Sequence, residues 1–141
     1  MSVFVPVDPV PLKWTLEFVT ASYLRDWYLP RTFLKKEPKW FPEGSLKEPP
    51  DIEADSEKYR ILRWALKPGY AVAFHMLTLH AGAGTEELRR VFSLRMLGDD
   101  IRYAPLSWET SPEFPGLSSE LRAGAPLAHK FFPIIWPTNF A

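Results

Sequence analysis

Three histidines, His75, His80 and His129, are the first places to look for a metal ligand or a general base, because imidazole alone both titrates near neutral pH and offers a metal a nitrogen lone pair. The chain has no cysteine, so disulfides, thiolate metal sites and a cysteine nucleophile are excluded, and any metal must be held by histidine and carboxylate. His75 and His80 share one apolar segment, Ala71 to His80. Read as a strand, their spacing sets them on opposite faces, so they do not meet at one metal. His80 ends that segment beside the glycine-bearing loop Ala81-Gly82-Ala83-Gly84-Thr85, where a ligand reaches a cavity mouth. Beyond the loop, Arg89, Val91, Ser93 and Arg95 share one strand face, and Arg90, Phe92 and Leu94 the other. If the loop closes a hairpin, an arginine comes to rest beside His80, and its planar fork takes a small carboxylate in two parallel hydrogen bonds. Spacing alone leaves two readings open. His80 is either a ligand or a hydrogen-bonded core residue, and the arginines either hold an anion or are surface charges. His129 reads as a loop residue, and Asp8, Asp99 and Asp100 flank turns, where aspartate bonds its own backbone.

The elements that must position these groups read as strands. Fifteen prolines and seven glycines argue against a helical bundle, since each internal proline removes a donor and clashes with the preceding turn. Met1 to Val7 alternates, with Val3, Val5 and Val7 on one face and Ser2, Phe4 and Pro6 on the other. Asp8-Pro9-Val10-Pro11 then turns the chain into a second extended segment, Lys13 to Val19, and the two are expected to form a hairpin. From Tyr23 to about Asp55 no period holds, and the segment is expected to be a long loop whose aromatics, among them Trp27, Tyr28, Trp40 and Phe41, pack over the sheet, the alternative being a lid over a substrate cavity. Ser56 to Leu66 suits helix or strand. Lys67-Pro68-Gly69 is a turn, Ala71 to His80 and Arg89 to Leu97 are strands, a short helix falls around Ser118 to Arg122, and a last apolar segment runs from Phe131 to Trp136. The pattern predicts a mainly β, jelly-roll-like pair of sheets in a single domain, residues 1–141.

Seventeen basic and seventeen acidic residues cancel, and no block of one sign stands out, so neither nucleic acid nor an anionic membrane is expected as a partner. The first residues have no basic region followed by an apolar run, and no stretch approaches the length of a membrane span. A cytoplasmic protein acting on a small-molecule substrate is the expectation.

Several segments carry a resemblance. Leu66-Lys67-Pro68-Gly69, Ala71-Val72-Ala73-Phe74-His75, Leu77-Thr78-Leu79-His80 and then Arg89 with Ser93 four places later resemble the second-histidine motif of the phytanoyl-CoA dioxygenase family. Leu94 to Tyr103 and the ending Phe132-Pro133-Ile134-Ile135-Trp136-Pro137 are similar to bacterial members, and Val3 to Val10 with Leu16 to Val19 resembles the family's middle hairpin. The resemblance implies a double-stranded β-helix in which a His-X-Asp motif and one distal histidine hold Fe(II), and 2-oxoglutarate serves as cosubstrate in hydroxylating a small organic or acyl substrate. On this reading His80 is the distal histidine, Arg89 pairs with the far carboxylate of 2-oxoglutarate, and Ser93 and Phe4 line the cosubstrate pocket. Arg90 is the rival for the arginine role, with its side chain facing away from that of Arg89.

The sequence departs from the family pattern at three places. No His-X-Asp occurs: the residues two after the histidines are Leu77, Gly82 and Phe131. Tyr70 replaces the aspartate that usually follows the turn glycine, and Ala21-Ser22-Tyr23 stands where relatives have Gly-Ser-His. Because the family's His-X-Asp lies shortly upstream of the strand matched by Val3 to Val7, the chain is expected to be the C-terminal half of the catalytic domain, with a fold incomplete at its N-terminus. It is expected to be inactive alone and to self-associate through unpaired strand edges. The alternative is a non-catalytic, truncated or degenerate jelly-roll protein with a binding or partner-dependent role.

Overall fold

A computed structural model of the chain describes residues 1–32, 35, 37–82, 84–108 and 112–135. The chain divides into two compact units, Met1–Met96 and Leu97–Ala141.

The first unit is built from two antiparallel three-stranded sheets. β1 (Ser2–Pro6) is the centre of the first sheet, between β4 (Val72–Phe74) and β6 (Val91–Arg95). Its alternation works as the sequence suggests: Ser2, Phe4 and Pro6 are buried while Val3 and Val5 are half-buried. Directly opposed residues point to the same side of a sheet, so the pairs Phe4–Val72, Phe4–Ser93 and Pro6–Val91 share one face, which is buried at Phe4 and Pro6 and open to solvent at Ser93. β2 (Leu16–Val19) is the centre of the second sheet, between β3 (Ile61–Leu62) and β5 (His80–Gly82). Phe18 stands opposite both Leu62 and His80, and Leu16 opposite Gly82.

Two expected local pairings give way to exchange between sheets. β1 and β2 do not form a hairpin. Pro9 and Pro11 have no N–H to give to a ladder, a 3₁₀ turn follows at Leu12–Trp14, and Val10 exchanges both backbone hydrogen bonds with Leu66 at 2.8 Å. The chain therefore leaves one sheet and enters the other. The apolar run from Ala71 to His80 is likewise not one strand: the His75 carbonyl accepts the Thr78 N–H at 2.9 Å, closing a turn that carries the chain from β4 to β5. An apolar turn cannot be told from a buried strand by periodicity. β5 and β6 also lie in different sheets, so the glycine-bearing loop is a crossover and not a hairpin; Ala83 within it lies outside the described residues.

The facing sides of the sheets make the core. Phe4, Val10 and Leu66 cluster with Leu16, Val72, Phe74 and Val91, and the Phe18 ring meets that of Phe74 with centroids 4.9 Å apart. The segment 23–55 forms no strand among its described residues. It is pinned by Leu29, which is fully buried and bonded through its N–H to the Lys47 carbonyl at 2.7 Å. Arg31 reaches both Glu43 and Glu48, at 2.6 and 2.5 Å.

In the second unit, α1 (Leu117–Glu120) is a single turn that buries Leu117. Arg102 bridges to Pro126, and Phe132 to His129. Of the last apolar segment, Trp136 lies outside the described residues. No helix among the described residues is long and apolar enough to cross a membrane.

Candidate functional site

Phe4, Ser93 and His80 are brought to the facing sides of the two sheets. Ser93 stands directly opposite Phe4 in the β1–β6 pair. His80, itself exposed, packs against Phe74 of the first sheet at 4.9 Å between ring centroids and lies 6.0 Å from Phe18 beside it in its own sheet. Arg89 precedes β6 by two residues, in step with Val91 and Ser93, and a guanidinium N–H donates to the backbone carbonyl of Trp14. A carbonyl bond orients the fork without neutralising it, and the remaining N–H groups stay available to an anion.

The three histidines differ in which nitrogen is committed. His80 Nδ1 lies 2.7 Å from the Thr78 carbonyl, which only accepts, so Nδ1 carries the proton and the neutral ring keeps its lone pair on Nε2. This is the arrangement by which a second hydrogen bond orients a metal-binding imidazole. His75 is set the opposite way: its Nδ1 accepts the Leu77 N–H at 3.2 Å, so Nε2 is protonated, and the ring stacks on Tyr23 at 4.9 Å. His129, in the second unit, accepts the Phe131 N–H on Nδ1 at 3.3 Å and gives its Nε2 proton to Glu120 at 2.8 Å. That bond is the main reason the Glu120 carboxyl is held below its usual range, with nearby Lys130 adding to it. His75 and His80 are thus separated by a change of sheet as well as by ring polarity.

Arg90 turns to Asp8, giving Nε to Oδ2 at 3.0 Å and Nη2 to Oδ1 at 2.7 Å, with its backbone N–H also on Oδ2 at 2.8 Å. These bonds lower the Asp8 carboxyl to about 2. Arg90 is therefore committed to a fork-to-carboxylate pair, while among the described residues Arg89 meets a neutral acceptor. Arg95 donates from Nη1 to Ser93 Oγ at 2.7 Å. With an oxygen lone pair so occupied, the Ser93 hydroxyl proton is free to be given to an acceptor.

Two positioning residues escaped the reading of the sequence. Ser22, buried, donates from Oγ to the Val19 carbonyl and accepts the Leu79 N–H, both at 2.8 Å, tying the end of β2 to the residue before His80. The preceding Ala21 has φ +58°, in the left-handed region that favours glycine. A buried serine just after a strand, preceded by a small residue, was the available signal. Thr78 supplies the carbonyl that sets the His80 tautomer, a role invisible in sequence because the backbone performs it.

The donor set does not fit a complete iron centre. A non-haem iron oxygenase site needs two histidines and a carboxylate on one face of the metal. Among the described residues no three His, Asp or Glu side chains come together, and His80 supplies one imidazole. Two residues after His80 stands Gly82, with no carboxylate to offer, and a Cβ there would meet Leu16 Cδ2 at 3.0 Å. Compared with protein-family models, with curated proteins and with solved structures, the chain matches none.

Proposed function

We propose that this chain is a phytanoyl-CoA dioxygenase-type, double-stranded β-helix domain whose residues supply the dicarboxylate-binding side of an Fe(II)/2-oxoglutarate site and one of its imidazoles. The observation that carries this reading is chemical. His80, alone of the three histidines, presents a lone pair on Nε2, and it does so from a sheet whose inner face meets that of Phe4 and Ser93. A chain that crosses between two sheets after β1, β3, β4 and β5 also suits a jelly roll, whose eight strands form two packed sheets.

In this assignment Arg89 binds the far carboxylate of 2-oxoglutarate through its fork, Ser93 donates its hydroxyl proton to the same ligand, and Phe4 forms an apolar wall behind it. The substrate is a small organic or acyl compound. Lacking the His-X-Asp pair, the 141 residues by themselves bind the cosubstrate without consuming it.

The test is calorimetric titration of the purified chain with 2-oxoglutarate. Saturable binding that falls by roughly tenfold to a hundredfold in Arg89→Ala is expected, the range for loss of a charged hydrogen bond. Absence of binding to the parent chain, or equal binding by Arg89→Ala, overturns the assignment.

A further inference from the structure

The second unit contains a cavity of about 350 Å³, within the range of small-molecule sites. The residues that line it include three aromatics, Tyr103, Trp108 and Phe114, together with the buried Leu117, the acidic Glu113 and Ser118. Among the described residues that line it there is no lysine or arginine, and the one charged residue is acidic. Phe114 is held from behind by Phe132 and Phe131, at 4.9 and 5.5 Å between ring centroids, so the wall is braced by packing.

We propose that this cavity binds a small organic cation bearing a methylated ammonium group. Aromatic faces attract a diffuse cation through the ring quadrupole, and methyl groups let such a cation shed water at little cost. A compact inorganic ion would lose its hydration shell without enough oxygen ligands to replace it. Glu113 is exposed and forms no salt bridge with another described residue, so it is placed to neutralise a bound ammonium. The cavity volume suits a whole small molecule. The site lies wholly within the second unit and is independent of the oxygenase reading.

The experiment is an NMR titration of the full chain with choline, following the Trp108 indole. Parallel titrations use tetramethylammonium, the uncharged isostere 3,3-dimethylbutan-1-ol, sodium chloride, and a peptide carrying trimethyllysine. Choline and tetramethylammonium are expected to saturate the shift and to bind at least about tenfold more tightly than the isostere. Trp108→Leu should abolish the binding. Should that variant fail to fold, Glu113→Gln, a change at an exposed position, decides the matter: it should weaken choline several-fold and leave the isostere unchanged. Equal binding of choline and isostere, or an unchanged choline affinity in Glu113→Gln, overturns the proposal. Preference for the trimethyllysine peptide over both free cations overturns the assignment to a small molecule.

Discussion

Asp8 and Arg90, 82 residues apart in the chain, are joined by three hydrogen bonds of 2.7 to 3.0 Å that fasten the exit of β1 to the entry of β6. The pairing makes a pH-dependent contribution to stability. The Asp8 carboxyl is depressed in the folded chain from 3.8 to about 2, so the contribution is complete above pH 3.8 and is lost as pH falls through about 2. Asp8→Asn should therefore unfold at lower denaturant than the parent chain at neutral pH, with the gap closing between these two values and narrowing in high salt. Urea melts across that range check the sign.

The same pairing separates the two neighbouring arginines. Arg90→Ala should lower stability as Asp8→Asn does and leave 2-oxoglutarate affinity within about twofold, whereas Arg89→Ala lowers affinity with little effect on the melt. Parallel calorimetry and thermal unfolding of the two variants distinguish these roles; equal losses of affinity would mean that the register of β6 has been misassigned.

Ser22 offers a test of what positions His80. Its hydroxyl serves two backbone groups, one of them the Leu79 N–H, and Ser22→Ala strands both in a buried setting, at a cost of about 1–3 kcal/mol. Amide exchange at Leu79 and His80 should quicken more than at β1. Ala21→Gly should act in the opposite sense. Relief of the left-handed strain at φ +58° outweighs the added chain entropy, for a gain of up to about 1 kcal/mol.

What was legible beforehand follows the range of the forces involved. The faces of β1 could be read because alternation is a local property, and with them the shared facing of Val91 and Ser93 along β6. Pairing partners could not. The prolines at 9 and 11 signal a turn equally well for a hairpin and for a crossover, and only the Val10–Leu66 exchange, set by distant chain, decides between them. The histidine polarity was hidden for the same reason: it depends on a backbone carbonyl at Thr78 in one case and backbone N–H groups at Leu77 and Phe131 in the others, and backbone geometry leaves no residue type as a trace.

The long segment 23–55 is predicted to depend on one side chain. Leu29 is fully buried, and its removal in Leu29→Ala should cost about 2–5 kcal/mol through lost burial and the cavity left behind. Limited proteolysis of the variant should cut first within this segment, ahead of β1 or β2.

Among the described residues β6 pairs with a strand on one side only, and Phe92, 58% exposed, stands on its outward face with Leu94. Such an edge invites pairing with a second copy. Sedimentation is expected to show concentration-dependent association that Phe92→Lys reduces without loss of cooperative unfolding. A parent chain that stays monomeric at high concentration refutes this.

Metal binding by this chain is set by how many donors can reach one ion. His80 offers Nε2 as a single bond, and iron(II) stands low in the order of divalent affinities, so a site retains it through the number and placement of its ligands. His75 cannot assist, since its Nε2 carries a proton and its ring is stacked on Tyr23, and His129 gives its Nε2 proton to Glu120. The chain should therefore bind zinc(II) or iron(II) only weakly, with dissociation constants on the order of a millimolar, and His80 should be the first ring to respond in a histidine-selective NMR titration. His80→Ala should remove that response while leaving the His75 and His129 signals in place. With iron(II) and 2-oxoglutarate under anaerobic conditions, no metal-to-ligand charge-transfer band is expected, and no succinate after oxygen is admitted. A band and steady succinate formation, both abolished by His80→Ala, would mean that two further donors join this imidazole and that the 141 residues are a complete oxygenase.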